Sequence, residues 1–483
     1  MDLRTIFAAG RSANDIISDL QKKPIGIQDK WDVIARDWYP VFHRVNDHAA
    51  RRDKVRTNKN GAKEIEPVAR IALKLEQLLT NRVNDFTFAL PVKRVYGNTG
   101  TEQRQAVAQA IEAVLQAADI DAENLRRGIP YLAACECCTV WYTVKRPNDL
   151  YGFHSEYKLK CKTFSPMDGA DLYPLFDEYD DLVAMSFYYK SRFNDESEEF
   201  FETYTADRRY RWMRGKGSDG WELLSSSTDA DGNEIAGETL QLGKIPAIYL
   251  WRPLPVFHGL SPLRDDLEFK LSENSDVIAY NAAPVLKVVG SLVGGSDKGE
   301  SRRIIRVENG GDVAYVSWDQ STAAFKEYVD RILSLFWMQA QMPDISFESM
   351  ASLGQIGYDA RMTLFTDAHL KVKEESGAWL TFFRREVNVV KAFLKLMNPA
   401  WAADIDAVTV DSVLTPYVQA DEASDIKNRM QANGGKAIES QLESIERFGR
   451  SDNPQATLER IQAEEASETV ARQNAFNLNN QQY

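Results

Sequence analysis

Hydrophobic positions in the first hundred residues recur at helical spacing. Trp31, Ile34, Trp38 and Val41 form one stripe, and Val68, Ile71, Leu75, Leu78 and Leu79 form another. Both predict amphipathic helices that need a core to cover them. The turn Gly97-Asn98-Thr99-Gly100 precedes a third helix, marked by Val107, Ile111, Val114 and Leu115. From about Cys137 to Leu250 the pattern shortens to runs rich in Val, Tyr, Phe, Thr and Trp, broken by Asp, Gly and Pro, which predicts strands. Examples are 139–144, 182–189, and a hairpin around Phe200-Phe201 and Tyr210-Arg211-Trp212. The polar, glycine-bearing stretch from Ser226 to Gly237 reads as an exposed loop.

Beyond Pro253 the order becomes helix, glycine-rich excursion, helix. Ser261 as N-cap with Pro262 at the first helical position marks the start, and Leu263, Leu267, Leu271 and Ile278 supply the apolar stripe. The excursion runs from Pro284 to Gln320, and the second helix from about Ser321 to Met342 carries Phe325, Tyr328, Val329, Ile332, Leu335 and Phe336, close to a heptad repeat. At roughly 22 residues each helix would reach about 33 Å. Pro343 ends the second helix, and a loop holding Met350, Gly354 and Gly357 leads to the longest helical pattern, Tyr358 to Met397, with Trp379, Phe383, Val387, Val390, Leu394 and Met397 on one face. It would span about 60 Å, with a bend expected at Gly377. After Pro416 the chain is polar and helical, and its Asn- and Gln-rich tail from Arg472 to Tyr483 is expected to be mobile.

At 483 residues and 44% hydrophobic, the chain can bury a large core. It has no apolar run long enough for a membrane helix, and MDLRTIFAAGRSANDII lacks the apolar centre of a signal peptide, so an unsecreted protein outside membranes is expected. The thiols of Cys135, Cys137, Cys138 and Cys161 are expected to be free. A formal charge of −13 argues against broad nucleic-acid binding, which draws its strength from cations neutralising phosphates. The basic stretch with Arg51, Arg52, Lys54 and Arg56 reads first as a solvated face, with phosphate contact the alternative.

Catalytic constellations are thin. The five histidines, His43, His48, His154, His258 and His369, form no H-E-x-x-H pair and no zinc spacing with cysteine. Neighbours in Cys135-Glu136-Cys137-Cys138 point different ways and make a poor metal site. The stretch from Asp229 to Glu234 has its glycine misplaced for a calcium loop. Gly434-Gly435-Lys436 lacks the upstream glycine and following hydroxyl of a phosphate loop, and the acidic run Asp177 to Asp181 reads as a turn. No catalytic, cofactor-binding or metal-ligating residue is expected.

The order of these features resembles the portal proteins of tailed double-stranded DNA phages, in the long-tailed siphophage type. The resemblance rests on Lys244-Ile-Pro-Ala-Ile248 before a Gly259-Leu-Ser261 helix opening, on Gln341-Met-Pro-Asp-Ile-Ser346 after the second helix, on Thr163 to Asp168 with Leu175 to Asp177, and on Gly435 to Glu439 followed by Ser451 to Pro454 and Leu458 to Ile461. The family's S-G-x-A signature is replaced by Gln355-Ile-Gly-Tyr-Asp359. The resemblance implies an α+β, ring-forming portal fold, divided into a wing (1–255), first stem helix (256–283), clip (284–320), second stem helix (321–342), tunnel loop (343–358), long helix returning to the wing (359–415), and crown with tail (416–483).

It further implies a homo-oligomeric ring, usually a dodecamer, at the capsid vertex, passing double-stranded DNA during packaging and ejection. Terminase large subunit, head-completion or adaptor proteins, and major capsid and scaffold proteins would be its partners, with assembly in the host cytoplasm. Twelve chains at −13 would total −156, a wall that repels DNA and lets it slide. Lys326 and Arg331 on the second stem helix, and Phe347, Glu348, Met350 and Leu353 in the tunnel loop, are the channel candidates. Lys298, Arg302, Arg303 and Arg306 are the clip's docking candidates. Leu263, Leu267, Leu271, Tyr328, Ile332 and Leu335 are assigned to stem packing between subunits. Another capsid or tail component, or a metal-dependent nucleic-acid-processing enzyme, stand as alternatives.

Overall fold

The computed structural model describes residues 3–8, 10–23, 30–57, 61–191, 198–215, 217–228, 234–281, 285–290, 292–295, 305–307, 312–316, 322–345, 363, 365–417, 440–448 and 453–480. The chain divides into one unit of residues 1–351 and 365–417 and a second of residues 352–364 and 418–483.

In the first unit, α1 (Leu3–Ile6), α2 (Ala13–Leu20) and α3 (Trp31–Trp38) precede an exposed hairpin of β1 (Lys54–Thr57) and β2 (Lys63–Glu66). Then come α4 (Leu75–Phe88), β3 (Lys93–Gly97), α5 (Glu102–Ala117) and α6 (Ile120–Ala133). The expected stripe from Val68 to Leu79 is therefore only half helical: residues 68–73 form neither helix nor strand, and Val41 and Leu78 are exposed.

The β-rich region makes two sheets. In one, β4 (Glu136–Asn148) lies between β5 (Ser155–Phe164) and β14 (Ala247–Trp251). The other orders β10 (Glu222–Leu223), β9 (Arg208–Arg214), β8 (Glu199–Tyr204), β7 (Leu182–Lys190) and β6 (Ala170–Phe176), with β13 (Glu238–Thr239) also on β9. The hairpin expected around Phe200 and Tyr210 is β8–β9, with Phe201 opposite Trp212.

Because side chains alternate across a strand, both faces of each sheet find cover. Cys138, Val140, Ala247 and Tyr249 meet Leu172, Met185, Phe187 and Tyr204 between the sheets. Cys137, Trp141, Ile248 and Leu250 face the helical core with α4, α5 and α6, while Leu175, Ala184, Phe201 and Trp212 are capped by Ile6, Ile17 and Leu20. The stretch expected as a loop at 226–237 instead carries the short ribbon of β11 (Ser226–Thr228) and β12 (Glu234–Ala236). The Asp177–Asp181 turn is closed by Asp177 Oδ1, which accepts from the amides of Tyr179 and Asp181 at 2.9 Å.

Next come α7 (Ser261–Asn281), a nested ribbon in which β15 (Val285–Val289) pairs with β18 (Asp312–Val316) and β16 (Leu292–Gly295) with β17 (Ile305–Val307), and α8 (Thr322–Ala340). The longest helix of the unit, α9 (Thr366–Met397), runs unbroken through Gly377, so no helix break occurs there. Its Trp379, Phe382, Phe383, Val390 and Leu394 are buried in the helical core. After α10 (Ala402–Ala407), β19 (Thr409–Val413) pairs antiparallel with β3. In the second unit, α11 (Gln441–Phe448) packs with α12 (Pro454–Asn480), which carries helix through most of the tail expected to be mobile.

Candidate channel and assembly site

The antiparallel pair α7 and α8 is anchored at one end only. Near the start of α7, Leu267 is 1% exposed, and near the end of α8, Phe336, Trp337 and Ala340 are buried. At the opposite ends, Ile278 is 51% and Tyr280 is 74% exposed, and all of Ala323, Lys326, Glu327 and Tyr328 face solvent. At 21 and 19 residues the helices measure about 31 and 28 Å; α7 is exposed throughout only beyond Asp276, whereas α8 is largely exposed over about its first half.

Beside the expected apolar stripe, of which Leu263, Leu267 and Leu271 pack on the core, a polar stripe fixes the base. Arg264, Glu268, Ser272 and Asp276 follow one another at four-residue spacing on one face of α7. Segment 68–73 lies along that face. Its alternate amides, Ala69, Ile71 and Leu73, donate to Asp276 Oδ1 (2.8 Å), Ser272 Oγ (2.9 Å) and Glu268 Oε1 (2.7 Å). Four helical residues advance about 6 Å and two extended residues about 6.6 Å, so the side chains of a helix can serve a strand as a hydrogen-bonding edge. The sequence does contain the signal: polar residues at 264, 268, 272 and 276 on a helix that otherwise has leucines at 263, 267 and 271.

At the top of the stripe the guanidinium of Arg264 donates to Glu76 Oε1 (2.7 Å), Asp265 Oδ1 (2.8 Å) and Asp37 Oδ1 (3.1 Å). His43 lies between Glu268 Oε1 (2.7 Å) and the Asp37 carbonyl (2.9 Å). Burial opposes the Arg264 charge, but Glu76, Asp265 and Asp37 raise its pKa. Glu76 Oε2 is buried without a hydrogen bond, and burial pushes this carboxyl up to about 7 against the pull of Arg264. At the far end Arg51 Nη2 pairs with Asp276 Oδ2 at 2.6 Å, so this member of the basic stretch is committed inside the subunit.

Of the residues assigned to stem packing, Leu267 is enclosed within the subunit, while Leu263, Leu271 and Ile332 are half-buried against the same core. Leu335 is half-buried, and Tyr328 is exposed with its hydroxyl donated to Asp266, the contact that raises its pKa. Lys326 and Arg331 are exposed on α8 beside Glu327 and Asp330, a face of mixed charge in which neither cation is ion-paired to a described residue. Phe347, Glu348, Met350 and Leu353 lie outside the described residues, as do Lys298, Arg302 and Arg303. Arg306 stands on β17 opposite Gly294.

Among the described residues no group of three His, Cys, Asp or Glu side chains could hold a metal ion. The cysteines are free, and burial drives the thiols of Cys135, Cys137 and Cys161 up to about 12, the opposite of what a nucleophile or ligand requires. No helix among the described residues is long and apolar enough to cross a membrane.

Residues 38–470 match the family described as Phage portal protein, SPP1 Gp6-like. The chain belongs to this family. As a portal-family protein it is a structural component of the head–tail region of a virion and not an enzyme. Among solved structures it is similar to a chain in the neck of an empty GTA particle, at 11% identity and a TM-score of 0.35, covering 78% of this chain and 90% of that one. A chain of the native gene transfer agent virion is similar at 10% identity and a TM-score of 0.36, covering 90% and 98%. No curated protein matched in sequence.

Proposed function

We propose that this portal protein assembles as one subunit of a closed ring, twelve copies in number, at a single vertex of the head, and that double-stranded DNA passes through the bore during packaging and ejection. The observation that carries the reading is the one-ended anchoring of α7 and α8. The last turn of α7 and the first half of α8, which expose Ile278, Tyr280 and Tyr328, gain little stability alone, and identical neighbours around an axis would cover them. Residues 1–255 and the returning segment 359–415 act as wing, 256–283 and 321–342 as stem, 284–320 as clip, 343–358 as tunnel loop and 416–483 as crown.

In this ring Lys326 and Arg331 face the bore, where sparse cations offset the −13 charge of each chain without gripping the duplex. Phe347, Glu348, Met350 and Leu353 reach nearest the DNA. The clip ribbon, with Lys298, Arg302, Arg303 and Arg306, receives the terminase large subunit and later the head-completion proteins, while the wing meets the major capsid and scaffold proteins. Reversing charge with Arg302→Glu and Arg303→Glu is expected to abolish DNA filling while rings still form. Normally filled heads carrying these substitutions would remove the docking role.

A further inference from the structure

Three concavities join along the outer face of α9. One of 710 Å³, lined by Phe7, Ile245 and Val389, shares Lys244 and Asn388 with a smaller one of 320 Å³. The smaller one shares Gln241, Leu242 and Leu396 with a third of 480 Å³, lined by Tyr142, Tyr157 and Phe393. The three adjoin in a row between α9 and the turn leading into β14.

Its chemistry is graded. The middle holds three ammonium groups, Lys244, Lys391 and Lys395, around the single carboxylate Asp406. Lys395 pairs with Asp406, Lys391 donates to the Val408 carbonyl, and Lys244 is exposed on the turn with no ion pair to a described residue. Lys391 and Lys395 are four apart on one helix, a like-charge spacing that costs a helix a few tenths of a kcal/mol and is only partly offset by the one carboxylate, Asp406, beside them. The ends are more apolar than the middle, although Arg4, Asp181, Asp207, Arg208 and Arg385 also line the larger one and Arg209 and Glu238 the other, where Tyr142 (38%), Tyr157 (45%) and Leu396 (44%) are left exposed. Burial lowers the Lys391 pKa against the pull of Asp406, with Lys395 and Lys244 adding to the lowering, and a bound anion would oppose it.

We infer that this groove binds an extended acidic segment of a partner protein, with carboxylates over Lys244, Lys391 and Lys395 and apolar side chains in the two end chambers. From Arg385 to Met397 the helix advances about 18 Å, the length of five or six extended residues. A duplex is too broad for a 320 Å³ chamber, and the chain's overall negative charge also disfavours one. The inference concerns the folded subunit and stands whether or not the ring reading does.

The test is fluorescence anisotropy on the full-length protein with three labelled probes: a six-residue peptide with two central glutamates between leucines, its glutamine counterpart, and a short DNA duplex. The acidic peptide is expected to bind about tenfold more tightly than the glutamine one, an advantage that shrinks with salt and disappears in Lys244→Glu and Lys244→Gln, both on an exposed turn where folding is unaffected. Equal affinity for the two peptides, or no binding of either, would overturn the proposal. Competition by the duplex at similar concentration would reassign the groove to nucleic acid. Binding to the monomer that is absent from the assembled fraction would make a neighbouring copy the occupant, and would overturn it as well.

Discussion

Replacing Glu76 by glutamine separates the electrostatics of the stem base from its packing. Glu76 is 1% exposed, accepts one bond from Arg264, and has its second oxygen buried without a partner. Burial raises its pKa from 4.5 to about 7. Between those values the folded chain holds a proton that the unfolded chain has released, so the contribution is fully present below about pH 4.5 and is lost as pH rises through about 7. The displacement corresponds to about 3 kcal/mol across the window. Glutamine keeps an oxygen for Arg264 and carries no titrating proton. Urea midpoints followed by tryptophan fluorescence from pH 5 to 8 should therefore show Glu76→Gln gaining on the parent protein as pH rises, by up to about 3 kcal/mol. Parallel pH profiles would refute the reasoning, because they would mean that this carboxyl is as well solvated in the folded chain as in the unfolded one.

Two further substitutions probe the helical core that carries the stem. Arg127 is fully buried between α6 and α9, with two hydrogen bonds to Glu386 (2.7 and 2.9 Å) and its guanidinium 4.3 Å from the Phe382 ring centre. Arg127→Leu should cost about 3–5 kcal/mol by stranding Glu386, and the double variant Arg127→Leu with Glu386→Leu should recover most of it in thermal unfolding. At Gly128, an added Cβ would come within 1.8 Å of Asn84 Oδ1, where α4 and α6 approach closely. Gly128→Ala should lower stability by at least about 2 kcal/mol despite alanine's better helix propensity, and adding Asn84→Ala should restore part of the loss.

Periodicity made the helices around Ser261, Thr322 and Thr366 legible, because each carries leucine or aromatic stripes over five or more turns. Alternation likewise revealed the strands around Val140, Met185 and Phe201. Where the reading failed, a local pattern was overruled by a distant partner. Val68 and Ile71 fit a helical stripe extending to Leu79, yet their segment is held straight by Glu268, Ser272 and Asp276, some two hundred residues later. Pattern reading counts apolar side chains, so it assigned α7 an apolar seam and passed over the polar one. Likewise, nothing local to Lys244 signals that a turn will place it beside Lys391 and Lys395. That cationic groove exists only once the strand entering β14 has crossed α9.

The most direct test of the account is the mass of the purified, assembled chain by native mass spectrometry, paired with images of the same sample. The account predicts one dominant species at twelve times the 54.7 kDa subunit, with a central hole. A stable, well-folded 54.7 kDa monomer that persists under assembly conditions would contradict it.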